Sequence, residues 1–208
     1  MGIFRIPGPD CVGRLNYMLA HTIEHDFLLK LGKVYPAAAS QQLLELLVET
    51  ISWQNTFEAF GRHFAVPRMQ AWYADEGIHY RYSDNMLQSH AWIEPLRSVK
   101  NNIEQLTGFP FNSVLVTFYR DGHDHVNWHA DDEAELGEQP VIASLSLGAS
   151  REFHYRHKYR NENGAMTLHD GELLLMQPVF QHEWEHCVPV EYEVQTPRIN
   201  LTFRNVIM

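Results

Sequence analysis

Near its C-terminal end the chain reads Arg198-Ile199-Asn200-Leu201-Thr202-Phe203-Arg204. As a strand, this run puts Arg198, Asn200, Thr202 and Arg204 on one face and Ile199, Leu201 and Phe203 on the other, because successive side chains alternate. The second face forms core. The first is a row of anion-binding groups: two guanidiniums, an amide and a hydroxyl. A guanidinium keeps its charge and meets a carboxylate through two parallel hydrogen bonds. Turned outward, the row is a solvated sheet face. Turned inward, it requires a bound anion, since a buried unpaired charge is very costly.

A second constellation lies upstream. Trp128-His129-Ala130-Asp131 places an imidazole and a carboxylate two residues apart, on one face if the segment is a strand, and His186 supplies another imidazole further on. Two imidazoles and one carboxylate make a facial triad that leaves positions open on iron for a chelating co-substrate and dioxygen. An arginine on a neighbouring strand can then hold the far carboxylate of that co-substrate. A lone His-x-Asp pair says little in a chain with 13 histidines. The pair, the distal His186 and the Arg198–Arg204 row in this order say much more.

A competing motif overlaps the last ligand. His182-Glu183-Trp184-Glu185-His186 fits the HExxH pattern of zinc peptidases. That pattern needs a helix, so that both imidazoles share a face and the Glu can act as base. Pro178 and Pro189 hem the segment in and its neighbours read as strand, which leaves no room for a full-length helix. On a strand His182, Trp184 and His186 share a face, and His182 falls near the site mouth or in solvent.

The elements that must position these groups follow from hydrophobic spacing. Ser40 reads as the N-cap of a helix carrying Leu43, Leu44, Leu47, Val48 and Ile51. A second helix starts near Pro95, carries Leu96, Val99, Ile103 and Leu106 on one stripe, and ends at Gly108. From residue 112 on the pattern turns β-rich, with short strands at 113–119, 141–147, 152–155, 172–176, 183–188 and 198–206. Many short strands after two packing helices predict a mainly β fold with flanking helices, a jelly-roll or cupin-like double sheet. Residues 1–36 are weakly patterned, and no repeat or low-complexity segment interrupts the chain.

The 208 residues suit a single domain with a substantial core. No apolar run is long enough for a transmembrane helix, and Met1 to Ile6 resembles neither a secretory leader nor a myristoylation signal. Two cysteines, Cys11 and Cys187, make no disulfide framework and suit a reducing, intracellular setting. Cys187 reads as a small strand residue facing away from His186. The net charge of −10 weighs against indiscriminate nucleic-acid binding, because phosphate affinity comes from Lys and Arg. Residues 151–160 nonetheless form a local basic segment with interleaved aromatics, which reads either as a nucleic-acid contact or as an exposed hairpin with solvated charges.

Over residues 40–207 the chain resembles AlkB-type dioxygenases of the nucleic-acid dealkylating kind, which depend on Fe(II) and 2-oxoglutarate. The resemblance rests on Val66-Pro67-Arg68, Tyr80-Arg81-Tyr82-Ser83, Tyr119-Arg120-Asp121-Gly122, His129-Ala130-Asp131-Asp132-Glu133, Ile142-Ala143-Ser144-Leu145-Ser146-Leu147-Gly148, Arg156-His157-Lys158, His186 and Arg198–Arg204. It is greatest to the branch acting on double-stranded DNA.

The resemblance implies a double-stranded β-helix core at about 111–208 and an N-terminal extension at about 1–110 with helices and nucleotide-recognition elements. It implies Fe(II), 2-oxoglutarate and dioxygen as cofactor and co-substrates, with His129, Asp131 and His186 as iron ligands. Arg198 would pair with the distal carboxylate of 2-oxoglutarate, and Asn200, Arg204 and Tyr119 would complete that pocket. The family usually carries Asn two residues before this Tyr; here Thr117 keeps a hydroxyl and loses the amide, which predicts weaker co-substrate binding. On the substrate side it implies that Asp132 and Glu133 meet a cationic methylated base, and that Tyr80, Tyr82 and Ser83 stack and position it. Arg68 would set a conformation or contact phosphate, with Arg156 and Lys158 as further contacts. Phe60, followed by Gly61, aligns with a hairpin tip that wedges an aromatic into duplex DNA, which would offset the cost of extruding a base.

The expected reaction is oxidative demethylation of N1-methyladenine and N3-methylcytosine, releasing formaldehyde, succinate and carbon dioxide. The expected partner is alkylated DNA, with RNA as the alternative. The chain is expected to act as a monomer, without a membrane or an obligate protein partner. Cytoplasm is the default compartment, since no basic cluster marks nuclear targeting. Three other readings compete: a same-superfamily oxygenase acting on RNA, protein or a small molecule; a non-catalytic nucleic-acid binder, which would have no use for a complete triad; and the zinc peptidase.

Overall fold

A computed structural model describes residues 22–59, 62–78, 81–82, 85–86 and 89–207. The chain order is β1 (Thr22–His25), β2 (Leu28–Lys33), α1 (Ala37–Thr50), β3 (Gln54–Ala59), β4 (Arg62–Ala74), β5 (Arg81–Tyr82), β6 (Asn85–Met86), β7 (Ser89–His90) and α2 (Glu94–Thr107). Then come β8 (Ser113–Tyr119), β9 (Val126–His129), β10 (Ile142–Gly148), β11 (Arg151–His157), β12 (Asn163–Leu168), β13 (Glu172–Met176), α3 (Pro178–Glu183), β14 (Trp184–Val188) and β15 (Arg198–Arg204).

The strands form a nine-stranded sheet in the order β1-β2-β13-β10-β15-β8-β4-β3, with β7 added against β4, and a four-stranded sheet in the order β12-β11-β14-β9. Apart from β7, every pairing is antiparallel. The predicted jelly-roll-like double sheet is the observed architecture.

Alternation sets the two faces of the large sheet. On β15, Ile199, Leu201 and Phe203 join Val114 and Val116 of β8, Ala143, Leu145 and Leu147 of β10, and the helices in one core. On the other face, Leu115, Leu174 and Met176 meet Phe153 and Tyr155 of β11 and Phe180 and Trp184 in a second core, between the sheets. The functional cavity opens in this second layer.

The helices back the large sheet. Helix α2 carries Pro95 in its first turn, buries Leu96, Val99 and Ile103, and ends on Gly108 in the left-handed conformation (φ 76°). Each buried side chain contributes roughly 1.5–3 kcal/mol, whereas the Lys100–Glu104 pair at 2.9 Å contributes about 0.5 kcal/mol or less. Packing therefore holds the helix.

Helix α1 departs from expectation at its start. It begins at Ala37 with Pro36 as N-cap, so Ser40 lies inside the helix rather than capping it. Ser40 is fully buried and its hydroxyl bonds the Asp170 carboxylate, while the Gly148 N–H donates to the same Oδ1. A proline with fixed φ opens the helix, and the serine is released for a long-range tie. No helix of the described residues is long and apolar enough to cross a membrane.

The division near residue 110 is not a boundary in the sheet. β2 pairs with β13, and β4 pairs with β8 from Met69 opposite Phe118 to Ala74 opposite Ser113. The N-terminal half therefore supplies strands to the same sheet as the C-terminal half.

Candidate active site

The small sheet brings the two imidazoles together. β14 and β9 pair with His186 directly opposite His129, and the ring centroids lie 4.2 Å apart. Phe153 and Phe180 stack on His186 at 5.1 and 5.6 Å. The His129 Nδ1 lies 2.9 Å from the Asn127 carbonyl; an N–H donated there leaves Nε2 as the ring's lone-pair nitrogen.

Asp131 does not sit on the strand with His129, because β9 ends at His129. Its backbone N–H donates to Gln181 Oε1 at 3.0 Å, and its Oδ1 accepts from Arg204 Nη2 at 2.7 Å. Asp131 is only 1% exposed.

The protonation states suit metal binding. Burial pushes both imidazoles below the usual histidine range, His186 well below it. Burial alone would raise the Asp131 carboxyl, but the Arg204 guanidinium beside it holds it below its ordinary value. Two neutral imidazoles and one carboxylate are the forms a divalent metal needs.

Among the described residues no three such side chains stand in ready-made ligand geometry, and Asp131 is drawn instead into its ion pair with Arg204. The donor set still fits a metal: Asp131 Oδ2 and His186 Nδ1 are buried and have no hydrogen-bond partner among the described residues.

The polar row of β15 faces inward. Arg198, Asn200, Thr202 and Arg204 line one cavity with His129, Asp131, His186, Arg68, Thr117, Tyr119 and Ser144. Registration with β8 sets Arg198 opposite Tyr119 and Asn200 opposite Thr117. Asn200 and Ser144 exchange hydrogen bonds at 2.8 and 2.9 Å.

Arg198 is buried at 1% exposure, and burial disfavours its charge. Its Nη2 donates to Ser146 Oγ at 2.9 Å, its guanidinium lies 5.0 Å from the Tyr119 ring centroid, and its Nε and Nη1 lack partners among the described residues. A buried, under-satisfied cation is built to meet an anion. Asp131 and Arg204 neutralise one another, which leaves the Arg198 guanidinium, with Arg68, as positive charge lining the cavity.

The loops around Tyr119 are held by Arg151, which sequence reasoning read only as part of a basic segment. It is buried, bonds Glu191 at 2.6 Å, and reaches the carbonyls of Asp121, Asp124 and Pro189. Its guanidinium also lies 5.4 Å from the Tyr119 ring. Gln181 and Ser146 were likewise missed as site residues. Alternation along 142–148 carried the signal for Ser146; nothing local marks Gln181.

The substrate-side residues divide. Arg68 lines the cavity, and its Nη1 lies 3.5 Å from the His125 carbonyl. Asp132 is exposed and pairs with Lys158 at 2.7 Å, and Glu133 precedes a 3-10 turn at Ala134–Leu136. Arg156 leaves β11 on the face away from Tyr155 and His186; it pairs with Glu185 at 2.7 Å and lies 4.4 Å over the Trp128 ring. Neither Arg156 nor Lys158 lines the cavity.

The backbone of Tyr82 pairs with Asn85. Phe60, Tyr80 and Ser83 lie outside the described residues. Cys187 is free and buried, and burial pushes its thiol up.

The peptidase geometry is not present. His182 lies next to last in the six-residue α3 and His186 sits on β14, so they share no helix. His182 is exposed and its Nε2 lies 2.8 Å from the Glu138 carbonyl.

Comparison with known proteins gives the family and agrees with the fold. The family model described as 2OG-Fe(II) oxygenase superfamily matches residues 23–204. Alpha-ketoglutarate-dependent dioxygenase alkB homolog 3 of Homo sapiens is 42% identical over 175 residues, 79% of this chain and 60% of that protein. DNA oxidative demethylase ALKBH2 of Mus musculus is 40% identical over 203 residues, 92% of this chain and 84% of that protein.

The solved structure of OsALKBH1 superposes with a TM-score of 0.61 over 87% of this chain and 99% of that one, at 16% identity, a likeness of fold. The chain belongs to the 2OG-Fe(II) oxygenase superfamily, as an AlkB-type member. The family's cofactor is Fe(II), with 2-oxoglutarate and dioxygen as co-substrates. The chain spans about 60% of the length of the human alkB homolog 3 it matches.

Proposed function

We propose that the protein is a dioxygenase that repairs alkylated nucleic acid by oxidative demethylation of N1-methyladenine- and N3-methylcytosine-type bases, with DNA as the substrate. The observation that carries this reading is one cavity holding His129, Asp131 and His186 at one end and the buried, under-satisfied Arg198 at the other. The name DNA oxidative demethylase, carried by a 40% identical relative, supports the substrate class.

His129, Asp131 and His186 would hold Fe(II), and the chemistry supplied there with 2-oxoglutarate and dioxygen is oxidation of an N-methyl group, yielding formaldehyde, succinate and carbon dioxide. Arg198 binds the distal carboxylate and so orients the co-substrate along the β15 row. Tyr119, Thr117 and Asn200 line its path. Arg204 keeps Asp131 ionised. The packed aromatics Phe153 and Phe180 exclude water behind His186. Asp132 and Glu133 follow Asp131 directly, and a carboxylate there would attract a cationic methylated base, in exchange for the Lys158 ammonium that pairs with Asp132.

One observation favours a second reading, a superfamily oxygenase acting on protein or a small molecule. Arg156 and Lys158 are already paired with acids, and the chain carries a net charge of −10. The site assignment is tested by measuring succinate formation in Asp131→Ala and His186→Ala, where turnover should vanish. Turnover retained in both variants would remove the triad.

A further inference from the structure

The small sheet places the imidazoles of His129 and His186, but its ladder stops short of Asp131. Something outside the ladder must fix that carboxylate. Arg204 holds its side chain; its backbone is held by Gln181, a residue of α3 that is 0% exposed. The Asp131 N–H donates to Gln181 Oε1 at 3.0 Å, which also fixes the orientation of the amide, since only its oxygen can accept.

The backbone carbonyl of Gln181 accepts from Lys158 Nζ at 2.8 Å, and the same Nζ donates to Asp132 Oδ2 at 2.7 Å. The Lys158 backbone N–H reaches the Glu183 carbonyl at 2.7 Å. Segments 131–132, 157–158 and 181–183 are thereby closed into one hydrogen-bonded ring. Helix α3 is six residues long, too short to hold its own place, so its position is set by the buried Phe180 in the core between the sheets together with these polar ties.

We propose that Gln181 and Lys158 are positioning residues that hold the Asp131–Asp132 turn so that the Asp131 carboxylate is presented to the metal. Lys158 thus acts as a bracket behind the metal site rather than as a phosphate contact. The inference rests on the assignment of Asp131 as a ligand. Partners that orient metal ligands typically change metal affinity about 10- to 100-fold when removed.

The test is titration of the metal-free 208-residue protein with Mn(II), followed by the loss of the free-ion electron paramagnetic resonance signal. Gln181→Met, which keeps the volume and removes the acceptor, should weaken Mn(II) binding about 10- to 100-fold. Lys158→Met should weaken it in the same direction, and Lys158→Arg should recover most of the loss. Leu47→Ala, fully buried in the helix-side core far from the ring, controls for stability and should bind Mn(II) like the wild type.

Wild-type affinity in Gln181→Met would overturn the inference. So would an equal loss in Leu47→Ala, which would make the effect one of general stability. Wild-type affinity in Asp131→Ala, or no Mn(II) binding by the wild type, would instead remove the ligand assignment and the inference with it.

Discussion

Arg204 Nη2 lies 2.7 Å from Asp131 Oδ1, and the two side chains are 3% and 1% exposed. Breaking a buried pair by removing one partner strands the other charge and costs about 3–5 kcal/mol. Arg204→Met should therefore lower the unfolding free energy of the metal-free protein by about 3 kcal/mol, read by urea denaturation. An unchanged midpoint would show that the pair is not formed in solution.

Arg198 should behave oppositely, because it has no such partner and two of its nitrogens lack hydrogen bonds among the described residues. Arg198→Met should leave the metal-free protein as stable as the wild type or more so. It should raise KM for 2-oxoglutarate about 100-fold, the loss expected for charge-assisted bonds worth up to about 3 kcal/mol. A KM unchanged within threefold would place the distal carboxylate elsewhere.

His182→Ala tests the zinc-peptidase alternative. The residue is exposed and its ring meets the Glu138 carbonyl at 2.8 Å, so stability should fall by no more than about 1 kcal/mol and 2-oxoglutarate turnover should persist. Loss of turnover at His182 with retention at Asp131 would reverse the metal assignment.

Gly122 is a backbone weld. It donates to the Val194 carbonyl and accepts from the Glu191 N–H, both at 2.8 Å, and an added Cβ would lie 1.8 Å from the Glu191 carbonyl oxygen. Gly122→Ala must push the two loops apart, at a cost of about 1–3 kcal/mol. Thermal unfolding checks this, and a wild-type midpoint would show that the loops separate freely.

Phe60 follows Ala59, which pairs with Arg62 where β3 and β4 meet. If this phenylalanine fills the gap left by an extruded base, Phe60→Ala should reduce demethylation of duplexes far more than of single strands. Equal losses on both substrates would dismiss the wedge.

Much of the catalytic half was legible because its signals are local. The alternation of Arg198–Arg204 separated core from cavity, and Pro95 and Gly108 bracketed α2 within a residue. The strands β2 and β4 were not legible. In β2 the run Leu28-Leu29-Lys30-Leu31 breaks the two-residue period. In β4, Arg68 and Gln70 occupy the cavity-side face where a strand-finder looks for apolar residues, and Pro67 interrupts the run.

The supporting residues were harder still. Ser40 looked like a cap because its partner, Asp170, is 130 positions away, and Gln181 meets Asp131 across 50 positions. Long-range polar ties leave no periodic trace.

The most direct test is mass spectrometry of oligonucleotides carrying N1-methyladenine or N3-methylcytosine. Single- and double-stranded substrates would be incubated with the protein, Fe(II), ascorbate and air, with and without 2-oxoglutarate. Loss of one methyl mass only when 2-oxoglutarate is present is the predicted result. An unchanged methylated mass while succinate still accumulates would contradict the nucleic-acid reading and leave the oxygenase site acting on another substrate.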